Sequence, residues 1–515
     1  MSGVIHHGRD LSEDQDLTCD VCIIGSGAGG AVLAAGLAKQ GLDVVVLEEG
    51  GWFTKKDFNL EEASAYPMLY QDRAGRATAD QAITVLQGRS VGGSTTVNWT
   101  TCFRTPDKVL RHWAAEHGVE GLNSELLAPH FDSVERRLNI EPWSERIANA
   151  NNRVLYDGCK SLGWEAQATR RNVKECGNTG YCGLGCPIDA KQAMGITYVQ
   201  DAVADGARVF SDVRADRVVV REGRVEEVQA RVLNRENSRP TGVAVRVRAK
   251  AVVSSAGAIN GPALLLRSDL NANGRVGLRT FLHPVVALPA YYEDPIEGFY
   301  GAPQSISSHE FVERAAGQMG FFMEAAPLQP VLAVGGSTLV GPAQHEMMRN
   351  LPYMGVLIAL GVDGFLPGDE GGVVSLRSDG RVRLDYSVSE DLAECFRSAH
   401  LAMARIELAA GAKLVQSTHN QPVKLRKEAD LETLGLAPYG ALEHPIFTAH
   451  QMGGCAMGSD PSTSVVDPAF RHHDIGNLFI VDGSVLPTSL GVNPSETIYA
   501  LASHASGLIA KELAR

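Results

Sequence analysis

A glycine-rich turn near the start of the chain constrains the fold more than any other feature. Residues 20–24 (DVCII) form a short apolar run, which is typical of a buried parallel strand, and GSGAGG follows at once. An apolar helical stretch (AVLAAGLAKQG) comes next, and DVVVLE then predicts a second strand that ends at Glu48. This order of strand, glycines, helix, strand and acid indicates a βαβ unit that binds a dinucleotide.

The glycines and the acid have separate physical roles in such a unit. Gly25 permits the tight turn, Gly27 lets the backbone approach a diphosphate, and Gly30 lets the helix pack closely on the strand. The helix begins with unpaired N–H groups, which attract phosphate. Glu48 can accept hydrogen bonds from ribose hydroxyls, and its charge would repel the 2′-phosphate of NADP. The motif does not separate FAD from NAD.

Composition and charge disfavour several classes of protein. The 515 residues are enough for two or more domains, and a net charge of -13 disfavours nucleic acid or an anionic membrane as the main partner. No apolar run of about 18 residues occurs, so no transmembrane helix is expected. The polar N-terminal stretch lacks a secretory signal, which predicts a cytoplasmic protein, although export with a signal-bearing partner stays open.

Residues 87–99 (QGRSVGGSTTVNW) form a second segment suited to a cofactor. Gly88, Gly92 and Gly93 allow the backbone to approach a ligand closely, and the hydroxyls that follow can donate hydrogen bonds. Such a loop suits contact with a flat ring or a phosphate. A plain surface turn is the alternative, which the upstream fingerprint disfavours.

A third segment lies near the C-terminus. NLFIVDGSVLP (477–487) predicts a strand and a turn, and a long amphipathic helix follows. Asn493 is predicted to cap this helix, with Pro494 as its first residue. A helix N-terminus is positively polarised, so it can stabilise the negative charge of a flavin that has accepted hydride.

Together these segments resemble the glucose–methanol–choline (GMC) flavoprotein oxidoreductases over nearly the whole chain. GRSVGGSTTVNW is similar to the first signature of that family, and SSAGAINGPALLLRSDL (254–270) is similar to the second. HQMGGCAMG (450–458) and VDGSVLPTSLGVNP (481–494) resemble its C-terminal active-site region. Bacterial long-chain alcohol and sterol oxidase-like members show the nearest likeness. The resemblance implies a FAD-dependent enzyme that oxidises alcohols.

The resemblance also implies which residues hold FAD. The fingerprint would contact the diphosphate, Glu48 the ribose, and Val213 the adenine through its backbone. Some members attach FAD to a histidine in the first signature, but Val97 stands near that place here, so we predict non-covalent FAD. The complete predicted set is Gly25, Gly27, Ala28, Gly29, Gly30, Glu48, Arg89, Gly92, Gly93, Ser94, Asn98, Val213, Ala256, Gly257, Asp482, Gly483, Asn493 and Pro494.

The same resemblance places a histidine and an asparagine beside the flavin. Alcohol oxidation removes a proton from oxygen and a hydride from the α-carbon, and histidine suits the proton because its pKa lies near neutrality. His450 is the predicted catalytic base, and Asn493 is predicted to hold the substrate oxygen and align its C–H bond. His283, in FLHP, resembles a recurring family position that we interpret as structural.

Three of the nine cysteines form a cluster, CGNTGYCGLGC (176–186). Thiolates of Cys176, Cys182 and Cys186 could bind zinc or an iron–sulfur cluster, although a fourth zinc ligand is not evident. The alternative is a tight loop of small buried side chains. Some sugar dehydrogenases of the resembled family carry a 3Fe–4S cluster on similarly spaced cysteines, so this cluster is a candidate second cofactor. The odd cysteine count disfavours a disulfide framework.

One FAD must contact segments from both ends of the chain, so the cofactor domain is predicted to be discontinuous. We predict an α/β fold with a Rossmann-like FAD-binding domain and a substrate-binding domain that contains an antiparallel sheet. A DG turn joins two β runs within 372–388, and a helix is predicted over 390–411. The FAD-binding domain would comprise 15–115, 195–275 and 446–515, and the substrate-binding domain 116–194 and 276–445.

The predicted reaction is oxidation of an apolar primary or secondary alcohol to an aldehyde or ketone. Phe321, Phe322, Met323 and the run 354–360 could line an apolar pocket or belong to the core. Three alternatives stay open: a FAD-containing lyase of the hydroxynitrile type, a flavin and iron–sulfur sugar dehydrogenase subunit, and a non-catalytic NAD-binding module. Oxygen, a quinone or an electron-carrier protein could reoxidise the flavin.

Overall fold

The computed structural model describes residues 3–514. Several short 3-10 turns connect the helices and strands. No helix among the described residues combines the length and apolar character needed to cross a membrane. The α-helices are α1 (Ala28–Ala38), α2 (Glu62–Leu69), α3 (Asp107–His117), α4 (Ser124–Leu138), α5 (Ala150–Leu162), α6 (Tyr198–Ala204), α7 (Asn260–Arg267), α8 (Pro330–Gly335), α9 (Pro342–Arg349), α10 (Glu390–Ala409), α11 (Leu431–Gly435) and α12 (Ser495–Leu513).

The strands pair into two large sheets and three small ones. They are β1 (Val4–His7), β2 (Gln15–Ile24), β3 (Val44–Leu47), β4 (Ile83–Val85), β5 (Thr101–Cys102), β6 (Ile140–Pro142), β7 (Gln167–Ala168), β8 (Arg170–Asn172), β9 (Arg208–Ser211), β10 (Val213–Arg221), β11 (Arg224–Leu233), β12 (Pro240–Ser254), β13 (Thr280–Leu282), β14 (Val285–Tyr291), β15 (Ile306–Ser308), β16 (Gly320–Ala325), β17 (Met354–Val362), β18 (Val373–Leu376), β19 (Val382–Asp385), β20 (Leu414–Gln416), β21 (Lys424–Leu425), β22 (Ile446–Thr448), β23 (Gln451–Gly453) and β24 (Leu478–Ile480).

The first large sheet has a parallel core. Its strand order is β1-β9-β3-β2-β12-β11-β10, and β24 pairs with the end of β12. The strands from β1 to β12 in this order run parallel, whereas β11 and β10 form an antiparallel extension. The length of β12, 15 residues, lets its start pair with β11 and its end pair with β2 and β24.

The glycine fingerprint folds as predicted. β2 ends at Ile24, α1 begins at Ala28, and β3 ends directly before Glu48. All of β3 and the last four residues of β2 are buried, as strands covered on both faces require. Helices α6 and α12 pack against α1. The predicted Rossmann-like fold is therefore confirmed.

The second large sheet is mainly antiparallel, as predicted. Its order is β21-β20-β14-β17-β16-β15-β7, and β22 pairs with β14 and, in parallel, with β4. Every residue of β16 and β17 is buried. Helices α5 and α10 cover one face of these strands, and β17 presents side chains from its other face to the cavity described below.

The predicted hairpin and helix both form, with shifted ends. β18 and β19 pair around the DG turn, where Gly380 has a positive φ of 77°, but they form a separate two-stranded sheet. α10 begins after Ser389, whose side chain caps it by accepting from the backbone N–H of Leu392, and it ends at Ala409.

The predicted cap of the C-terminal helix is wrong. α12 begins at Ser495 and its cap residue is Pro494, so Asn493 lies one residue before the cap. The Asn493 side chain is not bonded to a helix N–H, because its amide lies against His450 instead.

The predicted domain division stays a prediction. The first sheet takes its strands from 4–24, 44–47, 208–254 and 478–480, in broad agreement with the predicted FAD-binding ranges. Three details cross the predicted limits: β1 of the first sheet lies before residue 15, β4 and β22 belong to the second sheet, and α4 packs against α12 in the core of the first.

Candidate active site

A cavity of about 850 Å³ lies where the first sheet meets the inner face of the second. This volume is in the range of cofactor and ligand sites. Most of the predicted site residues line it, from both ends of the chain. They are Gly25, Gly27, Ala28, Gly29, Glu48, Gly93, Ser94, Asn98, Val213, Ala256, Gly257, His450, Asp482, Gly483, Asn493 and Pro494.

Three predicted cofactor residues, Gly30, Arg89 and Gly92, are not part of the cavity wall. Gly30 packs so tightly on the preceding turn that a Cβ there would lie 1.9 Å from the Gly25 carbonyl oxygen. The Arg89 guanidinium donates to Glu49 at 3.0 Å, and the Gly92 N–H donates to the Ser26 hydroxyl at 3.0 Å. Direct contact of these three residues with a cofactor stays a prediction, and in the structure they support the cavity wall from behind.

Close backbone approach shapes the end of the cavity at the fingerprint. Gly25 has a φ of 100°, and a Cβ on it would lie 2.3 Å from the Ser255 carbonyl oxygen. A Cβ on Gly29 would lie 2.0 Å from the carbonyl oxygen of Val481. The first turn of α1 opens into the cavity, because Gly27 and Gly29 line it. Unpaired N–H groups there suit the diphosphate of a dinucleotide.

Two buried carboxylates tie the cofactor segments together. Asp482 accepts from the N–H of Gly257 and from the N–H of Ser484, both at 2.7 Å, which joins the second signature to the C-terminal segment. Glu48 accepts from the N–H and hydroxyl of Ser26 and from the N–H of Gly50. Burial raises the pKa of both carboxyls. The Glu48 carboxylate therefore already accepts hydrogen bonds from its own loop and from Ser26. A ribose hydroxyl would bind the same carboxylate oxygens.

Val213, the predicted adenine contact, begins β10 and lines the cavity. Its backbone N–H donates to the Glu48 carbonyl at 2.8 Å. An adenine contact through that N–H would therefore compete with this bond.

The predicted catalytic pair comes together. Nε2 of His450 lies 3.4 Å from the side-chain nitrogen of Asn493, and both residues line the cavity. On its other side, Nδ1 of His450 lies 3.0 Å from Nδ1 of His283. Burial lowers the pKa of His450 to about 4, so its imidazole is neutral near pH 7. His283, which we interpreted as structural, is thus in direct contact with the predicted base.

The backbone next to His283 fixes the tautomers of both histidines. The N–H groups of Leu490 and Gly491 point at Nε2 of His283, at 3.4 and 3.2 Å, so this nitrogen accepts. Neutral His283 then carries its proton on Nδ1 and donates to Nδ1 of His450. Neutral His450 consequently carries its own proton on Nε2, toward Asn493. This proton faces the Asn493 amide, whose side-chain oxygen has no other partner.

Glu324 is a candidate functional residue that sequence reasoning missed. It is fully buried in β16, and burial raises the pKa of its carboxyl to about 8. Gln304, which lines the cavity, donates a hydrogen bond to one carboxyl oxygen at 2.5 Å. The Asn493 amide is a second hydrogen-bond partner of the same carboxyl group. The other carboxyl oxygen has no partner. A single acid within the apolar run GFFMEA is the signal that could have found it.

The wall near His450 is apolar where it is formed by the second sheet. Ile358 and Leu360 of the run 354–360 line the cavity, whereas Phe321, Phe322 and Met323 are core residues outside the wall. Other apolar residues of this wall are Leu86, Val97, Trp99, Val285 and Phe447.

The tip of the β18–β19 hairpin, residues 377–381, forms a part of the wall that was not predicted. It lies in the same wall as Arg76, whose guanidinium donates to Gln87 and Asn260. Arg377 of the tip adds positive charge, which would attract a diphosphate, whereas Arg381 is paired with Asp379 at 2.6 Å. Only long-range packing brings this hairpin to the fingerprint, so no local pattern indicated it.

The three clustered cysteines surround a void of about 20 Å³. Cys176, Cys182 and Cys186 are free and half-buried. Between residues 3 and 514, no group of three or more His, Cys, Asp or Glu side chains is arranged to hold a metal ion. The candidate 3Fe–4S cluster therefore finds no ligand set in this loop.

Known proteins resemble this chain over most of its length. Two family models, both described as GMC oxidoreductase, match residues 26–285 and 368–502. An uncharacterized GMC-type oxidoreductase of Mycobacterium tuberculosis is 34% identical over 490 residues, which are 94% of this chain and 74% of the relative. Long-chain-alcohol oxidase FAO4B of Arabidopsis thaliana is 31% identical over 540 residues, covering 99% of this chain and 70% of the relative.

Solved structures share the fold at low identity. Pyridoxine 4-oxidase from Mesorbium loti superposes with a TM-score of 0.70 at 20% identity, covering 96% of this chain and 99% of that one. Formate oxidase of Aspergillus oryzae superposes with a TM-score of 0.71 at 15% identity, covering 98% and 99%. Because the family models span most of the chain, this protein belongs to the GMC oxidoreductase family, whose members bind FAD and oxidise CH–OH donors.

Proposed function

We propose that this enzyme oxidises an apolar primary or secondary alcohol to an aldehyde or ketone. The observation that carries the proposal is the meeting of His450 and Asn493, 3.4 Å apart, in a cavity walled by the dinucleotide segments. When bound, FAD supplies the hydride acceptor. The chain's own residues must then orient the alcohol, receive its proton and exclude water.

His450 and Asn493 are suited to orient the alcohol. Both side chains offer a polar atom to one oxygen, and two contacts fix the direction of the neighbouring C–H bond better than one. The contact of His450 with His283 holds the imidazole in place from behind. We therefore assign substrate positioning to the pair.

The proton acceptor is either His450, as the sequence predicts, or Glu324. Neutral His450 already carries a proton on Nε2, which favours Glu324. Glu324 does not line the cavity, so it can receive the alcohol's proton only through an intervening water. A pKa of about 8 also suits Glu324 for proton transfer near neutral pH. The carboxyl lies one side chain behind the cavity wall, next to Gln304 and Asn493.

An apolar substrate is supported by the wall formed by the second sheet. Ile358, Leu360 and Phe447 are hydrophobic and can pack against an alkyl chain or a ring system. The named relatives include long-chain-alcohol oxidases, which agrees with an apolar alcohol. Small polar alcohols would leave this wall unfilled, so they should bind weakly.

An anaerobic alcohol panel tests the proposal. Purified holoenzyme is mixed with primary alcohols of increasing chain length, with secondary alcohols and with a sugar, and the flavin absorbance is followed. We expect bleaching by apolar alcohols, with affinity that rises with chain length. Admission of air then separates acceptors: rapid recolouring indicates oxygen, and persistent bleaching indicates a quinone or a carrier protein.

The outcomes of this panel also separate the alternatives. A lyase would convert its substrate while the flavin stays oxidised. A sugar dehydrogenase would be bleached by the sugar and not by apolar alcohols. Absence of bleaching by every apolar alcohol would contradict the proposal.

FAD is proposed to bind without a covalent bond. Val97 lines the cavity near the place where some family members carry the attaching histidine, and valine has no group that could form the bond. Acid precipitation of the yellow enzyme should release all of its colour into the supernatant. Colour retained in the washed pellet would contradict this prediction.

A further inference from the structure

Two buried cations lie directly behind the loop that carries Asn98. Lys191 is 3% exposed, and its ammonium donates to the backbone carbonyls of Thr96, Asn98 and Cys182, the last two at 3.1 and 2.7 Å. Thr95, Val97, Asn98 and Trp99 of this loop line the cavity. The ammonium of Lys191 is therefore bonded to the backbone of the same loop that forms part of the cavity wall.

Arg171 is the second cation, and it is fully buried. Its guanidinium stacks on the Trp143 ring at 4.8 Å and donates through Nη2 to the Trp99 carbonyl at 3.3 Å. Two of its nitrogens, Nε and Nη1, have no partner. Trp99 belongs to the same cavity-lining loop, so both cations support one segment.

Neither cation has an anionic partner among the described residues. No carboxylate oxygen lies within 4.0 Å of the Lys191 ammonium or the Arg171 guanidinium there. The Cys182 sulfur is 3.8 Å from Arg171, but burial raises the pKa of this thiol, which therefore stays neutral. Buried unpaired charges are costly and rare, so a compensating anion is expected nearby.

We propose that Lys191 and Arg171 form an uncompensated cation pair that favours negative charge on the flavin across the 95–99 loop. The pair acts through the potential at the cofactor site rather than by contact, so both are positioning residues. Their charge stabilises the reduced, anionic flavin relative to the neutral oxidised form, which raises the reduction potential. This inference rests on the predicted contact of FAD with Asn98, which lines the cavity, and does not require alcohol as the substrate.

Sulfite binding tests the pair without catalytic turnover. Sulfite adds to oxidised flavin and leaves a net negative charge on the ring, so its dissociation constant reports the local potential. Lys191→Met and Arg171→Met remove one charge each at similar length. We expect each substitution to weaken sulfite binding by about tenfold and to lower the flavin reduction potential. A tenfold change is the order expected when one unit charge is removed on the other side of a loop in a desolvated site. Lys174→Met, at an exposed position three residues from Arg171, should change neither quantity.

The pH dependence supplies a second readout that a purely structural role would not produce. Burial lowers the pKa of Lys191 to about 8, and the groups that face it are Arg171, Cys182 and Cys186. The ratio of wild-type to Lys191→Met sulfite affinity should therefore shrink toward one as the pH rises above about 8, because the lysine loses its charge. The ratio for Arg171→Met should not shrink in the same way.

Yellow, folded variants that bind sulfite within twofold of the wild type would overturn the inference. If Lys191→Met does not fold, Arg171→Met carries the test alone. Bleaching of the wild type by alcohols is measured separately, so failure of the proposed reaction and failure of the cation pair give different results.

Discussion

At the scale of single residues, His450 is held from two sides in the candidate site. Its Nδ1 meets His283 and its Nε2 meets Asn493, so the ring has little freedom to turn. His450→Ala should leave a yellow, folded protein in which flavin reduction by alcohol is slowed by about a hundredfold or more, since a side chain that positions the alcohol beside the flavin is lost. Stopped-flow absorbance measures this rate.

The matched control for that variant is His345→Ala, at an exposed position in α9. It should reduce its flavin at the wild-type rate. A His450→Ala enzyme that is equally fast would remove this imidazole from the mechanism.

Glu324 provides a separate prediction because its carboxyl must lose a proton before it can accept one. With a pKa raised to about 8 by burial, the base form dominates only above that pH. The rate of flavin reduction should therefore rise with pH and level off above about 8. Glu324→Gln keeps the shape and the bond to Gln304 but cannot accept the proton, so its rate should be low and independent of pH.

A pH-independent wild-type rate between pH 6 and 9 would instead favour His450 as the acceptor. Its pKa is lowered to about 4, so it would be unprotonated over that whole range.

At the scale of elements, close packing of α1 against the end of β24 makes one glycine indispensable. A Cβ at Gly29 would lie 2.0 Å from the Val481 carbonyl oxygen, so Gly29→Ala must displace the helix N-terminus that faces the diphosphate. We expect loss of at least tenfold in FAD affinity, measured by flavin fluorescence on titration of the apoenzyme. Gly507→Ala, in α12 with open space around it, is the control and should bind FAD normally.

A buried histidine cluster joins α10 to the loops after β20 and before β22. His400, His419 and His444 lie with ring centroids 5.1 to 5.5 Å apart, packed around Tyr439 and Phe396. Burial lowers the pKa of all three, to about 3 for His400 and about 4 for His444. Four of their ring nitrogens have no partner.

The cluster should make the fold sensitive to acid. Below pH 6.5 the unfolded chain binds protons that the folded His400 does not, so the free energy of unfolding falls as the pH drops toward about 3. His400→Phe should lessen the loss between pH 7 and pH 5 by about 2 kcal/mol, measured by denaturant titration at both pH values. An unchanged loss, equal to that of a control His345→Phe, would show that His400 is not a source of the sensitivity.

The sequence analysis correctly predicted those helices, strands and turns that are determined by residues adjacent in the chain. The fingerprint could be recognised because the strand–turn–helix geometry itself requires glycine at positions such as Gly25, Gly27 and Gly30. The hairpin could be recognised from its DG turn, and α10 from its capping serine. Asn493 was misassigned as a cap because its partner, His450, lies 43 residues away. The roles of Glu324 and His283 depend likewise on strands that meet only in the folded sheet, so no neighbouring residues indicated them.

At the scale of the whole molecule, one cavity unites segments that the chain separates by more than 400 residues. Gly27 and Gly29 at its start and Asp482 and Asn493 near its end form one wall, and the second sheet closes the other side with apolar residues. This arrangement explains why the cofactor segments are scattered along the sequence. The domain boundaries and the cytoplasmic location stay predictions.

A crystal structure of the enzyme with FAD bound tests the central claim most directly. We predict the diphosphate at the first turn of α1, near Gly27, and the isoalloxazine ring beside Nε2 of His450 and the amide of Asn493. A flavin ring that lies outside this cavity, or that is separated from both side chains by other residues, would contradict the account.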